Sequence, residues 1–162
     1  MNSKKIKLNS GFTLIESMIA ITLIIVTISG LLILVNRSLG YANLAFNRLT
    51  AANLGQEGIE LVRNIRDTNW LNQKNWLTGL DDGTYQIDHT NNALMPYTDQ
   101  PLLLEETLGY NYTAGDATIY YRKIEISKIS NNEIRVKCTV TWSAKGGKNF
   151  DTVVEQHLLN WL

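Results

Sequence analysis

The chain has 162 residues with 15 basic and 15 acidic side chains, so its formal net charge is zero. That balance gives no whole-domain basic footprint for nucleic acid, and three of the basic residues (Lys4, Lys5 and Lys7) precede the first apolar stretch. Cys138 is the only cysteine, so no intramolecular disulfide can form and the fold depends on its core.

The first predicted element is a membrane span behind the basic leader. Ser17 to Val35 contains no charge over about nineteen positions, which at about 1.5 Å per residue crosses a bilayer core of about 30 Å. The run is longer than the apolar part of a secretory signal peptide, and no A-x-A-like site closes it. Because the lysines precede it and only Arg37 follows closely, the positive-inside rule predicts an external C-terminal domain.

Apolar residues continue beyond the span at helical spacing. They predict one helix from about Phe12 to about Arg66, in which residues 12–36 are apolar all round and residues 37–66 are amphipathic. Glycines each weaken a helix by about 1 kcal/mol relative to alanine, so bending is expected near them. The stripe comprises Leu39, Ala42, Phe46, Leu49, Ala52, Ile59, Val62 and Ile65, and the glycines are Gly30, Gly40, Gly55 and Gly58.

The remaining residues, 67–162, are predicted to form one globular head of about one hundred residues. Asp67, Asn69 and Asn72 suit an exit from the helix into a loop. Residues 67–116 are rich in Asn, Asp, Gly and Thr, contain both prolines, and hold at most one clear strand, TYQID at Thr84–Asp88. This loop region carries the weakest structural signal of the chain.

Three strand-like stretches follow the loop region, and they predict an antiparallel meander. Their sequences are ATIYYRKIEISKI, EIRVKCTVTWSAK and FDTVVEQHLLNWL, separated by SNN and KGGKN. The middle stretch alternates between an apolar face (Ile134, Val136, Cys138, Val140 and Trp142) and a polar face (Arg135, Lys137, Thr139, Thr141 and Ser143). The predicted fold class is therefore α+β, with the long N-terminal helix packed on a small antiparallel sheet in a ladle-like arrangement.

The sequence predicts no catalytic residues, metal ligands or cofactor, and it does not indicate an enzyme. His89 and His157 lie far apart and have no HExxH, CxxC or nucleophile-elbow context. Asp81, Asp82 and Asp88 could supply oxygen ligands to calcium, but the EF-hand pattern is missing and an Asp-Asp-Gly turn into a strand is favoured.

Two other features favour structural roles. YYRK, at Tyr120–Lys123, mixes aromatic and cationic residues as single-strand nucleic-acid binders do, but a strand face with a solvated edge is the favoured interpretation. Cys138 lies on the apolar face of its predicted strand, which favours a buried small hydrophobe over a reactive thiol.

The stretch GFTLIE carries the most specific signal in the chain. Gly11, Phe12 and Glu16 stand behind a short lysine-containing leader and directly ahead of the apolar run. The chain here resembles type IV prepilins and the pseudopilins of type II secretion, at motif level over about the first 35 residues. The order of helix and then sheet extends the resemblance to the whole chain at the level of the fold.

The resemblance implies that residues 1–11 are a prepilin leader. A prepilin peptidase would cut between Gly11 and Phe12 and methylate the new amino group of Phe12. Glu16 would then meet the Phe12 amine of a neighbouring subunit, so that Glu16 and Phe12 are the docking pair of a filament. The implied partners are prepilin peptidase, other pilin subunits, the assembly machinery and, before assembly, the bacterial cytoplasmic membrane.

The resemblance also implies a location and a subclass. The chain would be a single-pass inner-membrane protein with its head outside, and then part of an extracellular or periplasmic filament. AANLGQEGIELVRNIRDTNW resembles the helix end of some pilus-modification minor pilins, but a purely structural explanation, with helix stripe residues under the sheet and Trp70 closing the core, is favoured. The mid-helix proline of many major pilins and their C-terminal cysteine pair are both missing, which leaves room for a minor pilin or for a pilin from a lineage without that disulfide; a minor pilin or pseudopilin is the favoured interpretation.

Two other functions stay open. The head could act as an adhesin or DNA-capturing module at a pilus tip, which a basic exposed patch would support. Alternatively, the chain is an ordinary signal-anchored surface domain, in which Glu16 caps the anchor helix at the membrane interface. That version would not be cut after Gly11.

Overall fold

The computed structural model describes residues 11–91, 93–144 and 146–160. The predicted leader, apart from Gly11, and the last two residues of the third predicted strand (Trp161 and Leu162) lie outside the described residues. The chain divides into two compact units, one ending at Asn43 and one beginning at Leu44.

The fold is α+β, as predicted, with one long helix and an antiparallel sheet. The helix, α1, spans Leu14–Leu71. The eight strands are β1 (Gly83–Gln86), β2 (Met95–Pro96), β3 (Leu103–Glu105), β4 (Gly109–Asn111), β5 (Asp116–Ala117), β6 (Tyr120–Ser130), β7 (Glu133–Ser143) and β8 (Asn149–Leu159). They form a five-stranded sheet in the order β2-β1-β6-β7-β8 and a three-stranded sheet in the order β4-β3-β5.

The predicted meander is confirmed as β6, β7 and β8. Both of its strand pairs are antiparallel, and β7 pairs with β8 along all its residues from Glu133 to Ser143. The alternating residues of β7 that were predicted to share an apolar face are all buried (Ile134, Val136, Cys138, Val140 and Trp142). The predicted strand TYQID is confirmed in part: β1 spans Gly83–Gln86, ends before Ile87 and Asp88, and pairs with β6.

The second half of α1 covers this apolar face. Its buried positions recur at helical spacing and are Ala51, Leu54, Gly55, Gly58, Ile59, Val62, Arg66 and Asn69. A Cβ atom at Gly55 would lie 2.8 Å from Val154 Cγ2, and one at Gly58 would lie 2.8 Å from Cys138 Sγ. The two glycines therefore allow the helix backbone to approach β7 and β8 closely, and the helix continues through both positions.

The predicted stripe is correct in its C-terminal part only. Ile59 and Val62 are buried, whereas Leu39, Phe46 and Leu49 are all more than half exposed. The spacing of Phe46 and Leu49 is helical, but within the described residues no strand of the sheet covers these two side chains. Periodicity alone thus overestimates the length of the buried face.

The predicted end of the helix near Arg66 is also wrong, because α1 continues to Leu71. The Asn69 side chain, expected to start a loop, instead donates hydrogen bonds from inside the helix to the carbonyl oxygens of Trp76 (3.3 Å) and Thr78 (2.8 Å). Gln73 then ends the helix in the left-handed region with φ 56°. Its N–H donates to the Trp70 carbonyl, and the next N–H donates to the Asn69 carbonyl, the bonds of a Schellman motif.

The loop region holds more strands than predicted. Besides β1 it contains β2, β3, β4 and the first residue of β5, and Leu103 pairs with both Asn111 and Ala117, so Ala117 lies in this second sheet and not in β6. Each of these strands has only two or three residues, too few for an alternating pattern to show in the sequence.

Candidate functional site

The predicted processing segment leads directly into α1. Gly11 and Phe12 precede the helix and are exposed, with Phe12 75% exposed. Thr13 is the N-cap residue, since its Oγ1 accepts a hydrogen bond from the Glu16 N–H at 3.2 Å. The peptide bond between Gly11 and Phe12 therefore lies in accessible, non-helical chain just before the first helical turn.

Glu16 occupies the first turn of α1, the only acidic residue there. A carboxylate at this end of a helix is stabilised by the partial positive charge of the free N–H groups. The spacing from Thr13 to Glu16 is that of a capping box, which gives Glu16 a local structural role. Its carboxylate has no hydrogen-bond or ion-pair partner among the residues that the structure describes.

The apolar run after Glu16 is exposed on every side of the helix. The large apolar side chains from Leu14 to Val35 are between 52% and 77% exposed. The most apolar 18-residue stretch of α1 has a mean hydropathy of 2.9 and contains no buried residue. By length and composition, α1 could therefore cross a membrane. A helix that is apolar all round is stable only where lipid or other apolar helices surround it.

The hydroxyl groups within the run bond to the helix itself. Thr22, Thr27 and Ser29 each donate to the carbonyl oxygen four residues earlier, at 2.8, 2.7 and 2.8 Å. This pattern removes the cost of an unpaired hydroxyl in an apolar medium. The run can therefore carry polar residues and still fit an apolar environment.

The Arg122 guanidinium group is a fully buried charge in the head. The Arg122 side chain, in the YYRK stretch, is fully buried between α1 and the sheet. Its Nη1 lies 3.1 Å from the Leu54 carbonyl oxygen and 3.2 Å from Glu57 Oε2, and its Nη2 donates to the Ile87 carbonyl at 2.5 Å. Arg122 thus ties the helix, β6 and the segment after β1 together.

The alternation of apolar and polar side chains along β6 could have shown that Arg122 faces the interior. Tyr120, Arg122, Ile124 and Ile126 have the same parity and are all buried, so Arg122 lies on the apolar face of its strand. A cation at such a position must find acceptors in the interior. Its acceptors lie far away in sequence, which is why the stretch by itself did not identify them.

Asp88 is buried and organises the segment that follows β1. Its carboxylate accepts hydrogen bonds from the N–H and hydroxyl of Thr90, from Asn91 Nδ2 and, at 2.7 Å, from the Tyr112 N–H. Burial alone would raise the pKa of Asp88, but these hydrogen bonds outweigh it and hold the pKa below its usual value. Protein donors therefore surround the carboxylate that was considered as a calcium ligand.

The two histidines and the cysteine, which were considered as catalytic or metal-binding residues, do not form a common site. Within the described residues no group of three or more His, Cys, Asp or Glu side chains could hold a metal ion. His89 is exposed in a loop, and His157 is exposed on β8 with its Nδ1 2.6 Å from Glu133 Oε1. Cys138 is buried as predicted, and that burial raises its pKa to about 12, so the thiol stays protonated near neutral pH.

No protein-family model, curated protein or solved structure matches the chain.

Proposed function

We propose that the chain is a subunit of a type IV pilus or of a related type II secretion pseudopilus. The observation that carries the proposal is the GFTLIE motif, which lies behind a lysine-containing leader and directly before an apolar run exposed on all sides. Prepilin peptidase would cut between Gly11 and Phe12, and the subunit would assemble through the first half of α1. A minor pilin or pseudopilin is the favoured subclass.

The local geometry is compatible with cleavage and its consequences. The Gly11–Phe12 bond precedes the N-cap residue Thr13, so cutting it removes no helical hydrogen bond. The new amino group at Phe12 would then stand beside the positive end of the helix, where a cation is disfavoured. Methylation keeps its charge, so an anionic partner would still stabilise it.

Glu16 can supply that partner in two ways. Within one subunit it stands four residues from Phe12, near enough to offset part of the charge of the amino group while the chain waits in the membrane. In a filament, the Glu16 carboxylate of an incoming subunit would pair with the Phe12 amine of a neighbour. Pairing would offset the desolvation of both ions and set the axial register between helices.

The apolar run supplies the packing energy. Its side chains leave the lipid and bury against the same run of neighbouring subunits, while its hydroxyl groups remain bonded within their own helix. The hydroxyls therefore impose no interhelical hydrogen bonds, and shape and van der Waals contact would dominate the helix bundle.

The deciding test is the intact mass and N-terminal sequence of the chain recovered from the membrane of its own host, with prepilin peptidase present and then deleted. The proposal expects a chain that begins at N-methylated Phe12 only when the peptidase is present. Residues 1–11 retained in both strains would overturn it.

A second experiment separates processing from assembly. Glu16→Gln keeps the size of the side chain and removes its charge, so we expect normal cleavage but loss of the subunit from sheared filaments. Glu60→Gln is the matched control, because Glu60 is an exposed carboxylate on the same helix and pairs locally with Arg63 at 2.6 Å. Equal incorporation of both variants would contradict the docking role of Glu16.

One observation favours a second candidate, an ordinary membrane-anchored surface domain. The bond from the Glu16 N–H to Thr13 Oγ1 gives this segment a capping role that requires no second subunit. In that case the chain stays uncut and Glu16→Gln is tolerated. A DNA-capturing tip has less support, because Lys123 and Lys137 on the outer face of the sheet both pair with Glu125.

A further inference from the structure

The head contains a cleft between the last turns of α1 and the segment that follows β1. It has a volume of about 460 Å³, within the range of about 300–1,000 Å³ that is usual for ligand sites. Its helix side runs from Leu61 to Asn72, which is about 16 Å at about 1.5 Å per residue. Ile87, His89 and Asn91 form the other side. The cleft is therefore elongated and lies within one compact unit of the chain.

The floor of the cleft is aliphatic. Leu61, Ile65 and Ile87 line it, and none of the described lining residues is a phenylalanine, tyrosine, tryptophan, aspartate or glutamate. Ile87 is fully buried, and Leu61 and Ile65 pack against the core, so the floor belongs to the folded head. Branched aliphatic side chains fit such a floor, whereas a sugar ring would find no aromatic ring to stack on.

One polar atom of the cleft is held in place and has no partner. Asn69 is only 8% exposed, and its Nδ2 donates to the carbonyl oxygens of Trp76 and Thr78, which fixes its Oδ1 as an acceptor. Within the described residues no group donates to this Oδ1. The unpartnered polar atoms sealed from solvent are Arg122 Nε and Trp142 Nε1, so Asn69 Oδ1 opens into the cleft that Asn69 lines. Such an acceptor requires a donor from outside the chain.

Two further amides complete a pattern of acceptors and donors. Asn91 Nδ2 donates to Asp88 Oδ1 at 3.3 Å, so Asn91 Oδ1 is a second acceptor at the cleft. Asn64 Oδ1 accepts from Thr68 Oγ1 at 3.2 Å, which leaves Asn64 Nδ2 as a donor for an external group. Asn64 and Asn69 are five positions apart, about 7.5 Å along the helix axis. An extended peptide repeats its N–H and C=O groups about every 6.6–6.8 Å, so one segment can serve both amides.

The charge of the cleft favours an acidic ligand. Lys74 lines it, and within the described residues Lys74 has no ion-pair partner. Lys74 also lines a second cleft together with Lys128, and none of the described lining residues there is acidic. Asp88, which stands between two lining residues in sequence, is fully buried and bonded to donors of the head. A carboxylate of a ligand would therefore meet a cation and no competing acid.

We propose that this cleft binds an extended peptide segment of a partner protein that carries an aspartate or glutamate beside branched aliphatic residues. The N–H groups of the peptide would donate to the Oδ1 atoms of Asn69 and Asn91. Its carbonyl groups would accept from Asn64 Nδ2, and its carboxylate would pair with Lys74. A cleft of about 16 Å holds about five extended residues at about 3.3 Å each. The site is independent of the N-terminal processing proposed above, so either proposal can fail alone.

The test uses a random seven-residue peptide library displayed on phage and selected on the full chain in nanodiscs. The best peptide is then synthesised with an acetylated N-terminus and an amidated C-terminus, and its binding is measured by fluorescence anisotropy. We expect enriched peptides with aspartate or glutamate next to valine, isoleucine or leucine. Changing that acid to its amide should weaken binding by about fivefold, the strength of one exposed ion pair. Failure to enrich acidic peptides would overturn the proposal.

A charge reversal ties the binding to Lys74. Lys74→Glu should weaken binding of the acidic peptide by about tenfold or more, and it should strengthen binding of a version with lysine in place of the acid. Lys148→Glu is the matched control, because Lys148 is an exposed lysine in the turn between β7 and β8. It should change binding by less than about twofold, since salt screens distant exposed charges. Equal effects of the two reversals would refute this site.

A second variant tests the amide donor. Asn64→Asp keeps the acceptor for Thr68 but replaces the free donor by an oxygen, so it should weaken binding by about fivefold. Asn53→Asp introduces the same charge at another exposed position of α1 and should leave binding unchanged. Urea midpoints equal to that of the wild type establish that the variants are folded. Binding to Asn64→Asp at wild-type affinity would contradict the proposal.

An acidic oligosaccharide is the alternative occupant that the experiment must separate from a peptide. Its hydroxyl groups could serve the same amides, and its carboxylate could pair with Lys74. Trigalacturonic acid is therefore the counter-probe. If it binds in a manner that depends on Lys74 and no peptide does, the peptide as occupant is overturned.

Discussion

Replacing Gly58 with alanine should destabilise the head, although alanine is the better helix former. A Cβ atom there would lie 2.8 Å from Cys138 Sγ, 3.2 Å from Arg122 Cδ and 3.5 Å from Ile124 Cδ1. All three neighbours are fully buried, so none can swing into solvent. Overpacking costs about 1–3 kcal/mol and the gain in helix propensity returns about 1 kcal/mol, so we expect a net loss of up to about 2 kcal/mol.

Urea unfolding of the full chain in detergent micelles, followed by tryptophan fluorescence, measures this loss. Trp76 and Trp142 are buried in the head and report on its unfolding. A lower midpoint with an unchanged slope m means a lower free energy of unfolding. Gly40→Ala is the matched control, because no atom lies within 4 Å of its added Cβ, and the head transition should not move.

The reasoning is refuted if Gly58→Ala unfolds at the same urea concentration as the wild type or a higher one. That result would mean that the helix can shift away from β7 without loss. Combining Gly58→Ala with Cys138→Ala gives a second check, because removing the sulfur should relieve part of the clash. The double variant should then lose less stability than the sum of the two single losses.

Four further predictions concern the head and the helix start. Arg122→Met should lower the free energy of unfolding by about 3 kcal/mol or more, measured by the same urea assay, because it leaves the Glu57 carboxylate and two carbonyls without their donor. The Asp88 carboxylate has a folded pKa below its ordinary 3.8, so its stabilisation is present above that pH and is lost as the pH falls through the folded pKa. Asp88→Asn should remove this acid-dependent part of the stability, and identical acid unfolding curves would contradict it. Cys138 should resist a thiol reagent at pH 8 until urea unfolds the head, and fast labelling of the native chain would disprove its burial. Thr13→Ala should weaken the helix start by about 1 kcal/mol, seen as faster hydrogen exchange in the first turn, and unchanged exchange would argue against the cap.

The parts of the fold that follow from strict periodicity were predictable. The alternation from Ile134 to Trp142 identified a half-buried strand and its inner face, because each side chain reports directly on one side of the sheet. The apolar first half of α1 was equally predictable, because its length and its lack of charged residues are enough to identify a helix that could cross a membrane. For the candidate site, the sequence located Gly11, Phe12 and Glu16, and the structure adds the Thr13 cap between them.

The parts that depend on distant contacts were not predictable. Three polar residues, Asp67, Asn69 and Asn72, suited a helix exit, and the sequence did not show that Asn72 is the one that follows the helix, because Gln73 takes the left-handed conformation that glycine usually supplies. From the sequence, Gly55 and Gly58 were expected only to weaken the helix. The structural need for glycine at these positions comes from the close approach of Val154 and Cys138, which lie far along the chain. The same is true of Arg122, whose acceptors come from positions 68 and 35 residues away.

Because its acceptors lie so far from it in sequence, Arg122 couples the folding of distant segments of the head. The guanidinium group is stable in the interior only after α1 has docked and the segment after β1 has closed, because each supplies one of its acceptors. A partly folded head that lacks either element would hold an under-solvated cation and return to the unfolded state. The helix and the loop region should therefore melt and form together, so that a single buried side chain suppresses folding intermediates.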